Sequence, residues 1–246
     1  MTESVQIGNF EIPKGELVPL LLRYQLLPGI LRELTIDRAI GSIEYTEAEK
    51  IQIIHQTYQR HQLTSNEQVQ QWLDLQGLNP IQFADIAIRQ LKIDKFKQET
   101  WGNKLEAYFL KRKGQLDKAI YSLIRTDDVG IAQEVYFRLI DGEQTFEYLA
   151  RKYSQGAEAQ TGGLIGPVEL SVPHPAIAQL IATQPIGKIC QPIKLDQWFA
   201  IIRPEQLIPS QLDELMRQRL INELFQTWIQ TELTSANTQI PAISQP

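Results

Sequence analysis

The stretch from Thr161 to Pro175, TGGLIGPVELSVPHP, places three glycines within five positions and adds three prolines. Glycine adopts positive φ angles and allows close backbone approach, whereas proline restricts the chain. Pro175 suits the first turn of a following helix. GGLIG lacks the Lys-Ser/Thr of a P-loop and the glycine spacing of a dinucleotide turn, so we expect no phosphate site here. Taken alone, the stretch predicts a tight turn.

The sequence around this turn alternates short β-prone runs with amphipathic helical patterns. Upstream we predict a strand and then two helices, in KAIYSLIR (118–125), IAQEVYFRLIDG (131–142) and TFEYLARKYS (145–154). Downstream we predict a helix and then a two-stranded hairpin, in PHPAIAQLIAT (173–183) and QPIKLDQWFAIIRP (191–204). Such an order is typical of a small α+β domain.

The first 115 residues are predicted to be helical throughout. Thr46 with Glu49 predicts a capping box, Ser65 opens a second helix, and Asn79 with Pro80 opens a third. After residue 208 the chain returns to helix, with Ser210 as the expected cap. Its apolar stripe is too wide for an isolated surface helix and must be buried, with the N-terminal helices as the expected partner.

These patterns predict an α+β protein in which a helical domain is interrupted by a small sheet domain. The predicted divisions are a helical part, an inserted domain, a C-terminal helix and a disordered tail, at 1–115, 116–205, 206–233 and 234–246.

Composition excludes several classes of function. The net charge of -5 provides no basic field for nucleic acid, and no apolar run approaches the length of a membrane span. The single cysteine, Cys190, excludes an internal disulfide, and His55 and His61 face different sides of a helix. We therefore expect no metal and no cofactor. The first residues have no signal-peptide pattern, which predicts a cytoplasmic location.

The order of elements and motifs across residues 116–205 resembles the parvulin family of peptidyl-prolyl isomerases. The helix from Phe146 to Ser154 matches the family pattern F-x-x-L-A-x-x-x-S, GGLIG is similar to its G-G-D-L-G loop, and IGKICQPI is similar to its G-E-x-S-x-P-V turn. KLEAYFLKRKGQL, just upstream, is similar to the helix that leads into this domain in SurA- and PrsA-type chaperone-isomerases. The resemblance implies a helical chaperone domain around a parvulin insert.

For this chain the resemblance implies rotation about X-Pro amides in an apolar pocket, with no covalent nucleophile. The implied substrate-binding positions lie after the second helix, in the glycine loop and on the following helix: Gly156, Leu164, Ile165, Ile177, Leu180 and Ile181. The implied loop glycines are Gly162, Gly163 and Gly166. On residue type alone, the apolar members are equally compatible with an ordinary core.

The chain also departs from the family pattern. Parvulins generally carry two histidines near the pocket, and the corresponding positions here hold Tyr121 and Phe199, or Ala200 if the hairpin is aligned without a gap. Many members have cysteine or aspartate where this chain has Gly156, and the acidic loop residue is replaced by Leu164.

Three hypotheses follow from these matches and departures. The first is an isomerase with Tyr121 and Phe199 at the family's polar positions, acting on unfolded or proline-containing polypeptide clients. The second is a parvulin-like module that binds clients without catalysis, with a peptide export system as a further candidate partner. The third is a helical scaffold with no client.

Overall fold

The computed structural model describes residues 4–237 and divides them into two compact units. We call residues up to 105 together with those from 217 onward the helical unit, and residues 106–216 the sheet unit. The predicted α+β class is confirmed. Most of the predicted disordered tail lies outside the described residues.

The helical unit consists mainly of α-helices with short connections. Its N-terminal part contains α1 to α5, at Lys14–Arg23, Leu27–Ile40, Glu47–Arg60, Asn66–Gln76 and Pro80–Trp101. The last helix, α10, spans Glu214–Asn237, so it continues past residue 234, where the tail was predicted to begin. No helix in the described part of the chain is both long and apolar enough to cross a membrane.

A β-hairpin precedes these helices, so the prediction of helix throughout the first 115 residues is wrong at its start. Strands β1 (Ser4–Ile7) and β2 (Phe10–Pro13) pair antiparallel across a turn in which Gly8 has a φ of 59°. Each strand is only four residues long and largely exposed, so neither produces the extended alternation by which strands are recognised in sequence.

The sheet unit contains a four-stranded antiparallel sheet, four α-helices and a 3₁₀ helix at Ala157–Thr161. Its elements in chain order are α6 (Leu105–Leu116), β3 (Lys118–Thr126), α7 (Val129–Ile140), α8 (Phe146–Tyr153), β4 (Leu164–Glu169), α9 (Pro175–Thr183), β5 (Ile193–Leu195) and β6 (Trp198–Ile208). The strands lie in the order β4-β3-β6-β5. The predicted strand, helices and hairpin of this segment are confirmed.

Alternation along the central strands β3 and β6 separates the two faces of the sheet. One face packs against α9 and buries Tyr121, Leu123, Ala200 and Ile202 with Ile177. The opposite face packs against α7 and α8 through Ile124, Val135, Phe146, Leu149 and Ile201. Every second residue of these strands therefore faces α9.

The sheet unit extends about ten residues beyond the predicted domain limits at each end. Asp117 joins the two added segments, because its Oδ1 accepts hydrogen bonds from the Ser210 amide (2.7 Å), the Ser210 hydroxyl (2.8 Å) and the Lys113 ammonium (2.9 Å). Ser210 is thus bound to the end of α6 and does not cap α10. Instead, Asp213 accepts a hydrogen bond from the Met216 amide at 2.8 Å.

Candidate functional site

A cleft of about 330 Å³ opens on the α9 face of the sheet. We call it the α9 cleft. Its lining combines aliphatic and aromatic side chains with one ion pair: Tyr121, Leu123, Arg125, Glu158, Ile165, Pro173, His174, Ile177, Leu195, Asp196, Trp198 and Ala200. A largely apolar cavity of this size with few polar groups is typical of a small-ligand or peptide site.

The floor of the cleft follows from strand alternation. β3 contributes Tyr121, Leu123 and Arg125, and the neighbouring β6 contributes Trp198 and Ala200. Tyr121 is 5% exposed and pairs with Ile165 on β4. Burial, with a further contribution from the negative charge of Glu158, raises the pKa of Tyr121 above its ordinary value. The phenol is therefore neutral and able to donate a hydrogen bond at neutral pH.

The glycine loop holds β4 close against β3. Gly162, Gly163 and Gly166 have φ angles of 66°, 88° and 115°, which side-chain-bearing residues rarely adopt. Gly163 accepts a hydrogen bond from the Leu123 amide at 2.9 Å, and a Cβ at Gly163 would lie 2.9 Å from the Leu123 oxygen. These glycines place Ile165 at the cleft.

An ion pair closes one side of the cleft. Arg125 Nε lies 3.0 Å from Glu158 Oε1, without the alignment of a hydrogen bond, and the guanidinium lies 5.8 Å from the ring centre of Trp198. The Ser154 hydroxyl donates to Glu158 Oε1 at 2.6 Å and accepts from the Arg125 amide at 3.1 Å. Backbone and side chain together therefore fix this pair.

Two further cleft residues belong to the start of α9. His174 Nδ1 accepts a hydrogen bond from the Ala176 amide at 3.2 Å, so this side chain caps the helix. Pro173 precedes it and also lines the cleft.

Among the described residues, no group of three His, Cys, Asp or Glu side chains is arranged to hold a metal ion.

The structure brings some of the predicted site residues together. Tyr121, Ile165 and Ile177 all line the α9 cleft. Gly156 lies behind the ion pair, where its Cα faces the Arg125 and Glu158 side chains.

Other predicted site residues lie elsewhere. Ala200 lines the cleft and Phe199 does not, because neighbouring residues of β6 point to opposite faces of the sheet. Leu164 is 51% exposed and lies outside the lining for the same reason, next to Ile165. Ile181 is buried in the core, and Leu180 borders a separate groove that also contains Cys190.

Sequence reasoning did not identify the Arg125–Glu158 pair, Trp198 or His174 as site residues. Arg125 and Glu158 are far apart in the sequence, and no motif relates them. The one available signal was β3 alternation, which places Arg125 on the same face as Tyr121.

One family model matches most of the sheet unit. Residues 125–206 match the family model described as "Rotamase: PPIC-type PPIASE domain". No protein of curated function was found to match the chain in sequence.

Solved structures also resemble this chain. The peptidylprolyl isomerase PrsA from Bacillus anthracis is 20% identical, with a TM-score of 0.50 over 87% of this chain and 100% of that one. PrsA from Bacillus cereus is 16% identical, with a TM-score of 0.48 over 99% and 95%. A SurA-like chaperone from Campylobacter jejuni is 15% identical, with a TM-score of 0.36 over 98% and 99%. The first of these likenesses supports a common fold.

Proposed function

We propose that this protein catalyses cis-trans isomerisation of X-Pro bonds in polypeptide clients, because residues 125–206 match the family model of PPIC-type rotamase domains. The observation that carries this proposal is the α9 cleft, which gathers Tyr121, Ile165 and Ile177 around one cavity. Its volume of about 330 Å³ accommodates a prolyl ring with parts of its neighbours.

The chemistry requires no nucleophile or cofactor. The barrier to rotation about a peptide bond is roughly 20 kcal/mol and arises from amide resonance. In the twisted transition state the prolyl nitrogen regains its lone pair and the carbonyl loses negative charge. A site that binds this less polar, twisted form more tightly than the planar ground state accelerates the rotation.

We assign two roles to the cleft residues. Ile165, Ile177 and Leu195 form the apolar wall that holds the ring away from water. Tyr121 supplies a neutral hydroxyl, and none of the described residues shares a hydrogen bond with it. Donation from this hydroxyl to the prolyl nitrogen stabilises the transition state more than the ground state, because only the twisted amide offers that lone pair.

NMR exchange spectroscopy on short X-Pro peptides, with and without the protein, tests the proposal. We expect cis-trans cross-peaks on a sub-second timescale only with protein. Ile165→Asp should abolish them, and Tyr121→Phe should lower the rate about ten-fold, the effect of one hydrogen bond to a charged or polarised group. Ile186→Asp is the control, because Ile186 is 55% exposed and does not line the cleft.

Two results would contradict catalysis at this cleft. Peptide line broadening without exchange would indicate a module that binds clients without catalysis, which is the second hypothesis drawn from the sequence. No effect on any peptide would direct attention to the helical unit as the working part.

The cytoplasmic location and the link to peptide export stay predictions. Cell fractionation tests the location, and co-purification with an export complex from the native cell tests the partner.

A further inference from the structure

Position 156 requires glycine because a side chain would not fit there, and not because of its backbone conformation. Its φ of −109° is accessible to any residue. A Cβ at this position would overlap Nε and Nη2 of Arg125 and Oε2 of Glu158. The absence of a side chain at Gly156 therefore makes the room in which the Arg125–Glu158 pair lies.

The two partners of this pair are unequally exposed. The Glu158 side chain is 5% exposed, and its Oε1 is occupied by both Ser154 and Arg125. The Arg125 side chain is 39% exposed, and among the described residues neither of its terminal nitrogens has a hydrogen-bond partner. A peptide in the cleft therefore meets the guanidinium and its free donors rather than the carboxylate.

The Arg125 guanidinium is the positively charged group of the cleft. Within the described chain, no other lysine or arginine lines the cleft. His174 uses Nδ1 as an acceptor to cap α9. Asp196 is exposed at the turn between β5 and β6, where water screens its charge.

We infer that Arg125 makes the α9 cleft selective for X-Pro segments that carry a carboxylate on the residue immediately before the proline. A guanidinium whose Nε faces Glu158 in an ion pair still has two terminal nitrogens, which suit a carboxylate. Glu158 is then the positioning residue that fixes the fork, and Gly156 leaves the space for it. The inference rests on the proposed function, because it assigns the substrate class of the same cleft.

Two blocked peptides, acetyl-Ala-Glu-Pro-Phe-amide and acetyl-Ala-Gln-Pro-Phe-amide, isolate the charge, because the Glu side chain is their only possible carboxylate. Binding is measured by NMR titration of the full-length protein, and KM and kcat by exchange spectroscopy. We expect the Glu peptide to bind about five-fold more tightly, as for a partly exposed ion pair. The difference should lie in KM and not in kcat, and it should shrink at high salt.

The test variant is the double substitution Arg125→Gln/Glu158→Gln, which removes both charges and leaves no unpaired buried carboxylate. It should bind the two peptides equally. The matched control is Arg138→Gln/Glu134→Gln, which removes an ion pair on α7 outside the cleft and should keep the preference.

Equal binding of the two peptides by the unchanged protein, or a preference that persists in the Arg125→Gln/Glu158→Gln variant, would overturn the inference. A preference that disappears in this variant supports it. If that preference occurs without catalysed exchange, the charge selection stands and the isomerase proposal fails, so the two outcomes are distinguishable.

Discussion

At the scale of single residues, Gly156 offers the most direct test of the proposed charge selection. A methyl group added at this position would compete with the Arg125–Glu158 ion pair for space. We expect Gly156→Ala to displace the Arg125 guanidinium and to remove the preference for the Glu peptide, although Arg125 itself is unchanged. Peptide titration of the variant measures this.

Gly114→Ala is the control for that substitution. Gly114 lies exposed in α6, and a Cβ at this position would meet no other atom within 4 Å. Alanine should therefore increase stability by about 0.5–1 kcal/mol and keep the preference. An unchanged preference in Gly156→Ala would contradict the proposed steric link.

Tyr121 predicts a particular response to alkaline pH. Burial and the Glu158 charge raise its pKa in the folded protein. Above about pH 10 the unfolded chain releases the phenol proton while the folded protein retains it, so the free energy of unfolding falls as pH rises. Below that pH the contribution is fully present. Tyr121→Phe should therefore reduce the loss of stability above about pH 10.

Melting temperatures between about pH 8 and about pH 11.5 measure this effect. Tyr148→Phe is the matched control, because Tyr148 is 49% exposed on α8 and lies outside the cleft. If Tyr121→Phe and the unchanged protein lose the same amount of stability as pH rises, Tyr121 does not contribute to the alkaline loss and the prediction is wrong.

Individual site residues were predictable where the family motif could be aligned with the sequence in only one way. Tyr121, Ile165 and Ile177 follow from motif positions and line the cleft. The choice between Phe199 and Ala200 depended on a one-residue alignment shift, and in a strand such a shift changes the face of the sheet. The Arg125–Glu158 pair depends on tertiary contact, which neither residue's local sequence contains.

At the scale of elements, Glu49 joins two helices and predicts a response to acid. Its side chain accepts hydrogen bonds from Lys95 on α5 (2.9 Å) and from the Thr46 amide at the start of α3 (2.7 Å). These contacts, with Lys95 the largest contributor, lower its pKa to about 2. The stability they provide is fully present above the ordinary pKa of 4.5 and is lost as pH falls toward 2.

Glu49→Gln should therefore lower the melting temperature at neutral pH and flatten its fall between pH 4.5 and pH 2. The control is Glu47→Gln, which removes an exposed carboxylate from the same helical turn. Acid profiles of equal slope in Glu49→Gln and the unchanged protein would refute this role.

Elements were predictable where local chemistry defines them. The capping box of Thr46 and Glu49 and the cap at Asn79 are present as predicted, because each pairs residues within one helical turn. The role of Ser210 was predicted wrongly because its partner, Asp117, is 93 residues away in the sequence. The short hairpin β1–β2 was missed because four exposed residues per strand leave little pattern.

At the scale of the whole molecule, the predicted resemblance is confirmed: residues 125–206 match the PPIC-type rotamase family model, and the fold of the chain is similar to that of PrsA from Bacillus anthracis. The C-terminal helix was predicted to need a buried face, and α10 buries Leu220, Ile221, Phe225 and Ile229. Phe225 and Trp228 contact Phe96 and Trp101 within the helical unit, with ring centres 5.1–6.4 Å apart.

The chain order therefore predicts two separable unfolding transitions. Truncation after Met216 leaves the sheet unit complete, including the bonds between Asp117 and Ser210, but removes the α10 side chains from the helical core. We expect calorimetry of the truncated chain to lose one transition, while peptide binding at the α9 cleft is retained.

Two core substitutions in the full-length protein make the assignment of these transitions independent of truncation. Phe225→Ala should lower only the transition that truncation removes, and Leu149→Ala, at a fully buried site of the sheet unit, should lower only the other. Each should cost about 2–5 kcal/mol, since each removes a large buried side chain. If both variants shift one common transition, the two units unfold cooperatively, and the sheet unit then depends on α10 for its stability.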